Sequence, residues 1–253
     1  MNIPVFSRDV FECLEHKGYS LNKSPYRLTF IGIRATVQNT NNFNDMVCAV
    51  MFDQSGDVLH WHTWDATTDP GLYFMENPMN SRGTAIVKTG LYRNLWYMDF
   101  ARVNKHLFWK NGILVDLMTG VQAARRYVAK QKHIFRQLRE LVVYRDNNRD
   151  HKLDLANPQS GKYFINFHTT HKYLWTPDVV NRWSAGCQVV RYQAHYCHAV
   201  WLGMKQYFMS PDRSNTFDYI LIDEADLEPF LDDNINIATL NSARKDDRFT
   251  QST

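Results

Sequence analysis

Val10, Cys13 and Leu14 fall at helical spacing within VFSRDVFECLEHKG and predict a short amphipathic helix over residues 5–18, stopped by Gly18. Beyond it the pattern turns β-like. The segments RLTFIGIRA (27–35), DMVCAVMFD (45–53) and DVLHWHTWDAT (57–67) predict strands, with Gln54-Ser55-Gly56 as a tight connection in a meander or hairpin. Pro70-Gly71 and Asn77-Pro78-Met79-Asn80 mark loops, and GTAIVKTGLY (83–92) predicts more sheet, broken at Gly90. The segment 115–140 differs in kind. Leu117, Val121, Ala124, Val128, Ile134 and Leu138 are set among many Lys and Arg with no proline, which predicts a basic helical insertion. Strands are expected again at 141–144, 162–169 and 217–222, and the chain after Cys187 begins extended and turns helical by about Ala194. With no internal repeat, the expectation is a single β-rich α+β domain over 1–233, carrying an N-terminal helix and the insertion at about 115–140, then a polar tail over 234–253.

Composition narrows the functional classes. A chain of 253 residues that is 44% apolar can bury a sizeable core, and its 14% aromatic content suits a polar peptide or sugar ligand as well as a core. A net charge of +3 is far from the concentrated basic footprint of a nucleic-acid binder. The longest uninterrupted apolar run, Met46 to Phe52, is far short of the roughly 18–20 residues of a membrane helix, so no membrane span is expected. MNIPVFSRD lacks the basic start, apolar middle and small-residue cleavage site of a secretory signal, so no signal peptide is expected. The four cysteines, at 13, 48, 187 and 197, fit neither a disulfide scaffold nor a paired zinc frame.

Chemistry concentrates in one place. A thiol attacks a carbonyl as the thiolate and needs a base, and the oxyanion it creates needs backbone N–H donors. Ser184-Ala185-Gly186-Cys187 suits the second need, because glycine before the cysteine opens backbone conformations closed to other residues. His168, nineteen positions upstream at the end of a predicted strand, can be returned to Cys187 by one loop and supplies the base. Of the four thiols, Cys187 is therefore expected to be the one with enhanced reactivity near neutral pH.

FHTT, a loop, then WSAGCQVV resembles the catalytic signature of the L,D-transpeptidase (YkuD-like) family: His, a loop, then Ser/Thr-x-Gly-Cys. GTAIVKTGLY and VVYRDNNRD, which precede it, resemble phage-encoded relatives. The resemblance implies a β-rich L,D-transpeptidase-like core with Cys187 as nucleophile, His168 as base, the backbone at Thr169 orienting the imidazole, and Ser184, Gly186 and Cys187 forming the oxyanion loop. Arg182, Trp183 and Gln188 are implied substrate contacts. Two positions depart from the family pattern: Ala185 stands where many members have His, and Val189 where many have Arg. The second removes an expected contact to substrate carboxylate, for which Arg182, Arg191 or Gln188 are the candidate replacements. The implied activity is thioester acyl transfer on bacterial peptidoglycan beside a D-centre, with no cofactor. Hydrolysis, as in an endolysin or a virion-associated enzyme, is favoured over cross-link formation. A wall-binding or virion module that keeps the fold without turnover is the alternative of a different class. If phage-encoded, the protein would be made in the host cytoplasm and reach the wall through a holin or with the virion.

Rival signals are weaker. His195, Cys197 and His198, with His168 and His171, lack a CxxC or HExxH frame, and His60 and His62 read as a polar sheet face, so no metal is expected. Asp146 to Asp150 begins like a calcium loop, but His151 and Asn157 stand where that loop needs Gly and Glu.

Overall fold

The computed structural model describes residues 5–36, 41–99, 124–125, 128, 134–148, 157–170 and 177–231. In chain order its elements are α1 (Val5–His16), β1 (Leu28–Arg34), β2 (Asp45–Phe52), β3 (Val58–Thr67), α2 (Leu72–Glu76), β4 (Ala85–Val87), β5 (Gly90–Met98), β6 (Phe135–Gln137), β7 (Leu141–Arg145), β8 (Gln159–Gly161), β9 (Phe167–Thr169), β10 (Gln188–Val190), α3 (Gln193–Met209), β11 (Thr216–Asp223) and α4 (Glu224–Leu227). The fold is mixed α+β and strand-rich. Eight strands close into a barrel in the order β1-β11-β5-β6-β9-β10-β3-β2, and β4-β7-β8 form a separate antiparallel sheet.

The unbroken apolar run of β2 has a direct structural cause. Val47, Ala49 and Met51 face one cluster with Phe30, Trp96, Phe167 and α3, whereas Met46, Cys48, Val50 and Phe52 face a second cluster with Val10, Cys13 and Leu14 of α1. Both faces of the strand are covered, so period-two alternation of polar residues disappears, as it does in any sheet buried on both sides. Helix α3 is buried along much of its circumference for the same reason: Tyr196, Ala199, Val200 and Leu202 pack into the first cluster, with Tyr196 edge-on to Phe135 and Phe167.

Strand β6 corrects the helical insertion at its C-terminal end. Ala124, Arg125 and Val128 are helical, but Phe135–Gln137 is extended, pairs with β5 and β9, and closes the barrel through Phe135 against Met98 and Phe167. Barrel closure with a fully buried Phe135 outweighs the local helix propensity of the surrounding Lys and Arg. The rest of the insertion, the 149–156 part of the calcium-like loop and the 234–253 tail lie outside the described residues.

One buried polar network joins the barrel end to the loops above it. Arg34 Nε lies 2.9 Å from Asp69 Oδ1, and its Nη2 donates to the Val87 carbonyl at 2.9 Å. Asp45 accepts from the N–H groups of Ala35 and Thr68 and from the Thr68 hydroxyl. Burial and the nearby Asp69 push the Asp45 carboxyl up to about 7. Thr68 also accepts, through its carbonyl, a weak 3.4 Å bond from Gln188, so this network supports the segment that follows Cys187.

Candidate active site

Cys187 and His168 stand on adjacent strands of the barrel wall. Strands β9 and β10 are parallel, with His168 opposite Val189 and Gln188 opposite Phe167. Phe167 and Val190 face the barrel interior, so His168 and Cys187 face outward. They open into a cavity of about 630 Å³ between this wall and the small sheet, bordered by Ala85 and Arg145 from that sheet and by Phe74 and Tyr163.

The loop that presents Cys187 is held by Ser184. Its hydroxyl accepts from Gly186 N–H at 3.1 Å and donates to the Cys187 carbonyl at 2.8 Å, while the Ser184 carbonyl accepts from Gly71 N–H at 2.9 Å. Gly186 has φ +114°, and a Cβ there would lie 2.5 Å from the Ala85 carbonyl oxygen, so glycine is needed for both conformation and space. Because Ser184 takes up the Gly186 N–H, the backbone amides of Ala185 and Cys187 are the ones that carry no hydrogen bond among the described residues.

His168 is buried and oriented by its neighbour. Nδ1 lies 2.9 Å from the Thr169 carbonyl, which can only accept, so Nδ1 carries the proton and Nε2 the lone pair. The Thr169 hydroxyl faces the other way and donates to the Val190 carbonyl. Cys187 Sγ is half-buried, accepts from Asn166 N–H at 3.4 Å and makes a long 3.8 Å contact with the Phe164 carbonyl. Phe164 has φ +58° and is 82% exposed, so the chain bulges here instead of continuing the strand expected from residue 162. Gln137 Oε1 stabilises the bulge by accepting from the N–H groups of Tyr163 and Ile165.

Burial pushes the Cys187 thiol up to about 11, and the Asn166 N–H opposes this only in part. With its pKa raised in this way, the resting group at neutral pH is the thiol. Brief iodoacetamide treatment should still label Cys187 first, since Cys13, Cys48 and Cys197 are buried. Its rate should climb about tenfold per pH unit from roughly pH 7 to 10 as the thiolate fraction grows. A plateau already reached at neutral pH, seen by peptide mapping, would mean a preformed ion pair; faster labelling of another cysteine would contradict the geometry.

The implied substrate contacts divide. Arg182 lies at the cavity with its guanidinium 4.0 Å from the centre of the Tyr73 ring, and Trp183 lines it while packing with Phe43, Val180, Val189 and Cys187. Gln188 does not reach the cavity. It is buried on the opposite face, where Oε1 accepts from the Tyr219 hydroxyl and Nε2 donates to the Gly186 and Thr68 carbonyls. Gly32 makes this possible, since a Cβ there would sit 2.2 Å from the Tyr219 oxygen. Arg191 is also elsewhere, bonded to the Pro177 carbonyl and Asp178.

Sequence reasoning missed Arg145, Tyr163 and Asn166. Arg145 had a readable signal: Leu141, Val143 and Arg145 share the buried face of β7 by simple alternation, so an arginine occupies a core-facing position. The histidines read as a possible metal site pack differently. His198 packs against His62 with ring centroids 4.0 Å apart and the planes tilted by 59°, and His60 accepts from Lys205 at 2.7 Å; burial lowers His60 to about 4 and His62 to about 3. Among the described residues no group of three or more His, Cys, Asp or Glu is arranged to hold a metal ion. His171 lies outside the described residues. No helix among them is long and apolar enough to cross a membrane. No protein-family model, curated protein or solved structure matches the chain.

Proposed function

We propose that the chain is a cysteine peptidase or acyltransferase of the L,D-transpeptidase type, acting on bacterial peptidoglycan, with hydrolysis as the main outcome. The observation that carries this reading is the shared cavity: a cysteine on a glycine-kinked, serine-clasped loop beside a histidine whose Nδ1 is tied to a carbonyl. The Cys187 proton passes to His168 Nε2 as Sγ bonds to the stem-peptide carbonyl carbon. The resulting oxyanion is met by the Cys187 N–H. Collapse breaks the C–N bond, and the imidazolium returns the proton to the departing amine, leaving a thioester on Cys187. Water, deprotonated by His168, then attacks the thioester, releasing a carboxylic acid and restoring the thiol; an amine in place of water makes a cross-link.

A second reading, a wall-binding or virion module without turnover, is favoured by one observation: the hydrogen bonds of Cys187 Sγ run to Asn166 and Phe164 instead of His168. Incubating purified sacculi with the chain and with Cys187→Ala, then analysing muropeptides by mass spectrometry, separates the two. New or lost muropeptides with the native chain alone support catalysis. Sacculus binding by both with unchanged muropeptides supports the module.

A further inference from the structure

Arg145 is 5% exposed, yet it borders the cavity that holds Cys187. One guanidinium nitrogen, Nη1, donates to the Gly83 carbonyl at 3.0 Å, and the guanidinium carbon lies 5.1 Å from the centre of the Tyr163 ring. Its Nε is shielded from water and has no hydrogen-bond partner. No carboxylate among the described residues pairs with Arg145; burial lowers its pKa, Tyr163 opposes this, and Arg82, of the same sign, adds to it. The cavity lining contains Arg145 and Arg182 and no aspartate or glutamate. A buried cation normally has its counter-charge within reach, because the desolvation of the ion is otherwise uncompensated. Here no carboxylate among the described residues supplies the matching charge, and Arg145 borders a ligand-sized space.

We propose that Arg145 is the anion anchor of this cleft: its free N–H groups receive an oxyanion of the ligand, a peptide carboxylate or a phosphate group. Guanidinium geometry suits a planar, two-oxygen partner, and the Gly83 and Tyr163 contacts hold the fork in place before the ligand arrives. Arg145 thereby fills, from the small sheet, the role left open by Val189 in the nucleophile segment. Arg182, exposed at the rim and stacked on Tyr73, adds positive charge at the cavity mouth. The inference rests on reading the cleft as the peptide site, but its test does not require turnover.

The Cys187→Ala chain is titrated calorimetrically with a stem tetrapeptide bearing a free C-terminal carboxylate, with the same peptide as its C-terminal carboxamide, and with inorganic phosphate. Expected is binding of the acid about 30- to 100-fold tighter than the amide, in line with one charge-assisted pair in a buried setting. Adding Arg145→Gln should erase that preference, bringing the acid down to the affinity of the amide. Tight phosphate binding with acid and amide equal, again lost in Arg145→Gln, assigns the anchor to a phosphate. If Arg145→Gln does not fold, Arg145→Lys, which keeps the charge but loses the fork, should reduce the preference at least fivefold. The proposal is overturned if acid and amide bind equally and phosphate does not bind, or if the preference survives removal of the guanidinium. Anion preference without muropeptide products removes the catalytic reading alone; products without anion preference remove the anchor alone.

Discussion

Cys187→Ala should lower the rate of muropeptide conversion by about 10⁴-fold or more, and His168→Ala should come close to it, because a nucleophile and its base act as one unit. The double variant should then be little worse than either single one. The reason lies in the resting state. With the thiol held up near 11 by burial, thiolate is scarce at neutral pH, so attack depends on proton removal by His168 Nε2 as the substrate arrives. The fold should survive both changes, since Cys187 is half-buried and the Nδ1 bond of His168 ends on a neighbouring carbonyl. Rates on isolated stem peptides, together with thermal melting of each variant, check this. Retention of most activity in His168→Ala would show that another group takes the proton.

The second large effect is on stability. Arg34→Met should cost about 3–5 kcal/mol, because it strands the carboxylate of Asp69 in the interior beside Asp45. For a domain of this size that is a fall of roughly 10 °C in melting temperature. The loss should depend on pH. Asp45 has its folded pKa raised to about 7, so between about pH 4 and 7 the folded state keeps a proton that the unfolded chain releases. That contribution is present at low pH and lost as pH rises through about 7. Arg34 holds the Asp45 pKa down, so without it that carboxyl stays protonated to still higher pH, and the variant should be worst relative to wild type at pH 8 and recover part of the difference at pH 5. Denaturant unfolding at the two pH values measures it. An equal loss at both would mean that Arg34 acts through packing alone.

How far the sequence could be read depended on whether the relevant signal was local. The apolar run of β2 and the loop Ser184 to Cys187 are contiguous, and their patterns imply a doubly covered strand and a glycine-kinked turn without knowledge of the rest of the chain. Gln188 could have been placed by alternation alone: beside an outward-facing cysteine, the next residue of an extended segment faces inward. Its adjacency to Cys187 suggested a ligand contact, whereas the structure gives it to Tyr219. Strand β6 was hidden because its extended state is set by partners distant in sequence, Met98 and Phe167, and not by its own composition. Arg145 illustrates both cases. Its core-facing position was visible in the alternation of β7, but its meeting with Cys187 depends on how the small sheet lies against the barrel wall.

The most direct test of the catalytic reading is a search for the thioester itself. The chain is mixed with a stem tetrapeptide, quenched in acid within seconds, and examined by intact-protein and peptide mass spectrometry. Expected is an added mass equal to the peptide minus its released terminal D-amino acid, confined to the fragment that contains Cys187 and absent from Cys187→Ala. Product formation undiminished in Cys187→Ala, or an adduct carried by a different residue, would contradict it.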